Sequence, residues 1–273
     1  MTKKETLEKL HDVEIEILDE FVRVCKKNNL KYFLVGGTLL GAVRHEGFIP
    51  WDDDIDIGMP REDYEKFIKI ANEELNEKYF IHYFTNDKNY YLNFLKVKKK
   101  NTFFDEGMLE GIDTYKNIWI DIFPYDKVEN PNSKMFVIKN YIYKNTVPVI
   151  FYKRKIFTKD KLRRPWIRFL YLPFSYKFLI KLLNKIAQSE NKKENCKYMT
   201  SYSGAYNFKK ETLPIDKMYP LMTVKFDNKK YTCFNDYDYY LSSIYGDYMK
   251  LPPKEKRVAH CPKKVIFDTT KGE

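Results

Sequence analysis

The stretch Gly36–Pro60 reads GGTLLGAVRHEGFIPWDDDIDIGMP. It opens on a glycine pair and closes on Asp52, Asp53, Asp54 and Asp56 before Gly58. DIDIGM alternates polar and apolar residues, the pattern of a half-buried strand. On such a strand Asp54 and Asp56 share a face, with Cα atoms about 6.6 Å apart at roughly 3.3 Å per residue. Ile55 and Ile57 then point into the core. Two carboxylates on one face repel each other unless a cation sits between them, and Mg²⁺ takes one or two carboxylates together with phosphate oxygens. A pair of this kind also occurs on solvated strands, so it needs a second signal. KYFLV (31–35) reads as a buried strand running into Gly36-Gly37, and TLLGAVRH as a short helix behind it. Glycines at that junction let backbone N–H groups approach a phosphate; without the aspartates they would read as a tight turn. Asp52 shares the parity of Asp54 and Asp56 but borders Trp51 and the Pro50 turn, and Asp53 has the opposite parity. Both are expected to shape the turn rather than hold metal.

Upstream, Thr2 and Glu5 have capping-box spacing. Leu10, Val13, Ile17, Phe21 and Val24 follow at helical spacing, so a first amphipathic helix is expected to end near Asn28-Asn29. Downstream, Pro60 ends the strand and REDYEKFIKIANEEL reads as a helix. KYFIHYF (78–84), YYLNFLKVKK (90–99) and NIWIDIF (117–123) are strand candidates. Residues 131–195 read as mostly helical, 221–234 as a hairpin turning at Asp227-Asn228, and DYDYYLSSIYG as a short helix. This order implies an α+β fold, a mixed sheet with flanking helices. The implied division is a core over 1–128, a basic helical segment over 129–195 and a C-terminal block over 196–273.

Asp121 is a third acid of interest. Trp119, Ile120, Ile122 and Phe123 flank it, and an acid in so apolar a strand needs a partner. It either completes a metal site with Asp54 and Asp56 or pairs with a buried Lys or Arg.

Taken together, GGTLLGAVRHEGFIPWDDDIDIGMPREDYEKF, IWIDIFPYD and YLSSIYGDYMKLPPKEKRVAH resemble, in order, three blocks of the LicD-type phosphocholine transferase family, within the nucleotidyltransferase superfamily. The resemblance covers about residues 6–126 and 200–262; the middle matches only in character. It implies a nucleotidyltransferase-like core. It also implies Mg²⁺, or Mn²⁺ in its place, held by Asp54, Asp56 and Asp121, with Asp121 also orienting or deprotonating an acceptor hydroxyl. Gly36, Gly37 and Thr38 would form the phosphate turn. The implied reaction transfers phosphocholine from CDP-choline to a sugar hydroxyl of a cell-surface glycan, teichoic acid or lipopolysaccharide precursor, and releases CMP. A CDP-alditol donor, or nucleotidyl transfer with pyrophosphate release, are the alternatives.

Charge neutralisation and in-line positioning are what phosphoryl transfer asks of a protein. Arg44, inside the motif, is spaced to clamp a phosphate oxygen. Lys96, Lys98, Lys256, Arg257 and His260 are further substrate-binding candidates, each also readable as a surface charge or a hydrogen-bonded structural residue. Trp51 reads as core packing or as a stacking surface for cytosine or choline.

Lys and Arg exceed Asp and Glu by 49 to 38, a net charge of +11. Residues 151–187 hold eleven of the basic residues and one acid, Asp160, interleaved with aromatic and aliphatic groups. That composition suits an interfacial helix pair on an anionic membrane surface, as a lipid-linked acceptor would require, or an ordinary amphipathic helix. No base-reading motif points to nucleic acid. The N-terminus lacks a secretory h-region and no run is apolar enough to span a bilayer. Cys25, Cys196, Cys233 and Cys261 form no CxxC pair. A cytoplasmic protein with reduced thiols, peripheral on the inner face of the membrane, is expected.

Overall fold

In the computed structural model, all residues are described except Glu106, Met108, Glu110, 157–170, Leu172, 258–261 and 271–273. The first helix, α1 (Lys3–Lys27), starts on the expected capping box. The Thr2 hydroxyl accepts the Glu5 N–H at 3.2 Å, and the Glu5 carboxylate accepts the Thr2 N–H at 2.8 Å. Its apolar stripe, from Leu10 to Cys25, is buried against the sheet.

The strands are β1 (Phe33–Leu34), β2 (Asp56–Pro60), β3 (Tyr79–His82), β4 (Leu95–Lys99), β5 (Phe103–Asp105), β6 (Trp119–Val128), β7 (Tyr198–Thr200), β8 (Thr212–Pro214), β9 (Met222–Phe226), β10 (Lys229–Cys233) and β11 (Lys264–Ile266). The main sheet runs β1-β2-β6-β4-β3, with β7 on the far end of β6 and β8 on β7. β2 and β6 are parallel, and the other pairings are antiparallel, so the sheet is mixed. β6 is the organising strand. Its first half carries Asp121 between β2 and β4, and its second half passes to β7.

Helices cover the sheet: α2 (Gly36–His45), α3 (Arg61–Glu74), α4 (Lys134–Lys153), α5 (Tyr176–Ala187), two single turns α6 (Phe208–Glu211) and α7 (Ile215–Met218), and α8 (Tyr237–Tyr245). α3 is fixed to β6 by Arg61, whose guanidinium makes two 2.8 Å bonds to the buried Asp126 carboxylate. α4 and α5 pack on each other over Phe136, Tyr143, Ile150, Leu179, Ile180 and Leu183, a second apolar cluster beside the main core. No helix among the described residues is long and apolar enough to cross a membrane.

The α+β reading holds, with local differences. The strand expected at 31–35 pairs only at Phe33 and Leu34, because the chain turns into α2 at Gly36 itself, with φ +55°. The strand expected at 90–99 pairs only from Leu95, where β6 offers Ile122 as a partner. β2 begins at Asp56, so Asp54 precedes it; the alternation persists, with Ile55 and Ile57 fully buried. The hairpin turns at Asp227-Asn228 as expected, between Phe226 and Lys229. β5 pairing with β11 was not foreseen. Much of the basic stretch 151–187 lies outside the described residues.

Candidate active site

Three side chains form a row across the sheet. Lys96 on β4 is the register partner of Asp121 on β6, and Asp121 is the register partner of Asp56 on β2. Lys96 Nζ bonds Asp121 Oδ1 at 2.6 Å and lies 4.0 Å from the Trp119 ring centroid. Thus Asp121 is both paired with a buried lysine and placed beside Asp56.

The row lies in a field of acids. Burial raises the Asp56 carboxyl well above the usual carboxylate range, reinforced by Asp54, Asp121 and Asp52 and opposed by Lys96. The residue is partly exposed overall, and its Oδ2 packs against Gly36. The Asp52 carboxyl is raised to about 6, first by burial and then by Asp53. Ligand atoms of Asp52, Asp53 and Asp54 lie within 4.8 Å of one another. Asp54, Asp56 and Asp121 form no such group among the described residues, and Asp121 is bonded to Lys96. Asp52 and Asp53 therefore belong to the acid cluster as well as to the turn.

Glu14 on α1 adds a further carboxyl. It is 2% exposed, its Oε2 has no hydrogen-bond partner, and burial raises its pKa well above normal, followed by Asp54, Asp53, Asp52 and Asp121. The sequence carried a signal for it, an acid inside the buried stripe Leu10-Val13-Ile17. So many hard oxygen donors on one side of the sheet, made costly by mutual repulsion, fit a divalent cation such as Mg²⁺.

The glycine turn is built into this cluster. A Cβ on Gly36 would fall 2.8 Å from Asp56 Oδ2, and one on Gly37 would fall 2.5 Å from Asp52 Oδ2. The Gly36 N–H donates to the Tyr240 hydroxyl at 2.9 Å, and the Thr38 hydroxyl accepts the Asp56 N–H at 2.8 Å. Within the structure these groups position the acids. His11 bonds the Asp52 carbonyl at 2.8 Å and stacks on Phe48, which fixes the turn from the other side.

Arg44 points to the C-terminal block. Its Nη1 donates to the Tyr248 carbonyl at 2.8 Å and its Nε to His45 at 3.0 Å. The Arg257 charge, after burial and Tyr245, acts on Arg44 and helps hold its pKa down. The Arg257 guanidinium lies 5.4 Å from the Trp51 ring. Arg44, Trp51 and Arg257 thus gather on one flank of the aspartates. The Lys256 side chain and His260 lie outside the described residues. Lys98 extends beside Lys96 and bonds the Tyr115 carbonyl at 2.5 Å.

Asp56 and Gly36 also border a cavity of about 250 Å³. Its walls include Phe94, Phe123, Tyr206 and Glu211, which sequence reading did not single out because they come from four separate segments.

Comparison with known proteins bears on this arrangement. Residues 29–169 match the family model described as LicD/FKTN/FKRP, nucleotidyltransferase domain. The chain is 29% identical over 274 aligned residues to the lipopolysaccharide cholinephosphotransferase LicD of Haemophilus influenzae, covering 94% of this chain and 97% of that protein. It is 33% identical over 137 residues to an uncharacterized protein of Rickettsia typhi, 43% of each chain. It is 50% identical over 42 residues to the human ribitol 5-phosphate transferase FKRP, 15% of this chain and 8% of that one.

Proposed function

The chain belongs to the LicD/FKTN/FKRP family, and from that premise we propose that it transfers phosphocholine from CDP-choline to a hydroxyl of a cell-surface glycan precursor, releasing CMP. It is a transferase, as its named relatives are. The observation that carries the reading is the in-register pair Asp56 and Asp121 beside the Gly36 turn, within a cluster of carboxyl groups. The parallel β2–β6 pair holding these acids is the part we read as a nucleotidyltransferase-like core.

Asp54, Asp56 and Asp121 would hold Mg²⁺, with Asp52 and Asp53 adjoining. The ion would supply charge neutralisation for the donor's diphosphate. The chain's own residues orient the reaction. The acceptor oxygen bonds to the choline-bearing phosphorus as the bond from that phosphorus to the bridging oxygen breaks, in line. CMP leaves with the bridging oxygen. The acceptor proton passes to a carboxylate, and we assign that role to Asp121, which Lys96 holds in place. Arg44, Trp51 and Arg257 form the flank toward which a nucleotide would extend. Thr38 keeps Asp56 in position through its backbone bond.

Incubation with CDP-choline, Mg²⁺ and lipid-linked glycan precursors tests the reading. Mg²⁺-dependent CMP release that requires the acceptor is expected. Inert CDP-choline alongside consumed CDP-ribitol would instead favour transfer of a polyol phosphate, the second reading supported by the match to FKRP. Peripheral contact with an anionic membrane fits the lysines Lys177, Lys181 and Lys185 on α5 beside exposed Phe174 and Phe178, whose rings stack at 4.9 Å. Failure of the protein to sediment with anionic liposomes would remove that part.

A further inference from the structure

We infer that the cavity behind Asp56 receives the quaternary ammonium headgroup of the donor, with Glu211 as its counter-charge. This rests on the donor reading above and goes beyond it by placing the selectivity for a cation.

The cavity is about 250 Å³, below the roughly 300–1,000 Å³ of sites that enclose drug-sized ligands. It therefore suits a headgroup and not a nucleoside. Gly36 and Asp56 belong to its lining, so a headgroup there leaves its phosphate beside the acid cluster. Five aromatic residues, Phe94, Phe123, Tyr125, Tyr206 and Tyr240, contribute to its walls. Phe94 and Phe123 pack with centroids 4.3 Å apart, and Tyr206 packs edge-on against Tyr245. Tyr240 enters from α8, anchored by the Gly36 N–H.

Glu211 is the second acid of the lining, beside Asp56. It is 4% exposed, and the hydrogen bond that fixes it comes from the Tyr206 N–H at 3.0 Å. Lys144 supplies an opposing charge but bonds the Gly204 carbonyl. The Ser201 hydroxyl, also buried and bordering the cavity, has no hydrogen-bond partner.

These walls discriminate between headgroups. A buried polyol needs a partner for each hydroxyl, and leaving one unmade is costly. The lining holds two carboxyl groups and two serines beside its rings, and the Ser203 hydroxyl is already bonded to Tyr143 and to the Asn93 carbonyl, so few partners are left. A trimethylammonium group needs no hydrogen bonds; it is held by ring faces and by negative charge.

The test compares CDP-choline with the cytidine diphosphate ester of 3,3-dimethylbutanol, in which carbon replaces the nitrogen and the charge is lost. Binding of each, and of CMP, is measured by calorimetry with Mg²⁺, beside turnover of CDP-choline. Wild type is expected to prefer CDP-choline by about tenfold or more. Glu211→Gln is expected to remove most of that preference while changing CMP affinity by less than about twofold. Tyr206→Leu reports on the same wall should Glu211→Gln fail to fold. Equal wild-type affinities for the two esters, or an unchanged preference in both variants, overturn the pocket assignment, and CDP-choline turnover then shows that the transferase reading stands without it. Absence of CDP-choline binding and turnover overturns both.

Discussion

Lys96 Nζ bonds Asp121 Oδ1 at 2.6 Å, and Asp121 is in turn the in-register neighbour of Asp56 on a parallel strand. The ammonium group therefore offsets one edge of a carboxylate cluster, and it also acts on Asp56 against the neighbouring acids. Burial and like charge act on Asp56 together, so the folded protein carries a local electrostatic cost that a bound cation would relieve.

Replacing Asp56 with Asn separates that cost from the function. The variant should be more stable than wild type in metal-free buffer, because a buried, repelled carboxyl is gone. It should also lose CMP release by at least about 100-fold, roughly 2.7 kcal/mol of barrier. Thermal melts in chelator and a CMP assay check the two halves. A variant with full turnover would remove Asp56 from the chemistry.

Lys96→Met acts in the opposite direction. Removing one partner of a buried ion pair costs about 3–5 kcal/mol, and here it leaves Asp121 facing Asp56 with no lysine between the site and the β4 side. Metal-free stability should fall, and the rise in melting temperature on adding Mg²⁺ should exceed that of wild type. Equal Mg²⁺ shifts in the two proteins would indicate that Lys96 and the cation do not answer to the same charge.

His82 sets a pH dependence away from the acid cluster. Its ring is buried and bonds Asp87 at 2.7 Å, with Thr114 bonded to the same carboxylate. Burial, then Lys98 and, further down, Lys96, push its pKa to about 3 against the pull of Asp87. A depressed folded pKa means the unfolded chain takes up the proton first. The contribution to stability is therefore complete above the unfolded value of about 6.5 and is lost as pH falls toward about 3. Asp87, itself lowered, adds loss in the same direction at the acid end. His82→Gln should lose less unfolding free energy than wild type between about pH 7 and pH 5. Equal losses measured by denaturant titration would contradict this.

What the sequence disclosed follows from the range of each interaction. Alternation in DIDIGM is a local property, so the burial of Ile55 and Ile57 was legible. The apolar setting of Asp121 showed that it needed a partner. Which lysine it would meet was not legible, because that depends on the β4–β6 register across 25 residues. Strand lengths were over-read for the same reason; β4 pairs with β6 only from Leu95, although β6 itself continues to Val128 and passes to β7. The bond between Gly36 and Tyr240 spans 204 residues, and the cavity draws on β6, the loop before β4, the turn after β7 and α6. Asp53 was read by its parity and Asp52 by its neighbours Trp51 and Pro50, whereas the chain before β2 brings ligand atoms of both within 4.8 Å of Asp54.

The central claim is that the choline-bearing phosphorus is attacked at the Asp56–Asp121 site, and the identity of the two products tests it most directly. Phosphorus NMR of CDP-choline with enzyme, Mg²⁺ and an accepted glycan precursor distinguishes the routes. Free CMP together with a glycan phosphodiester that carries choline is the predicted result. Free phosphocholine with a cytidylylated glycan would show attack on the nucleotide's own phosphorus and would contradict the account.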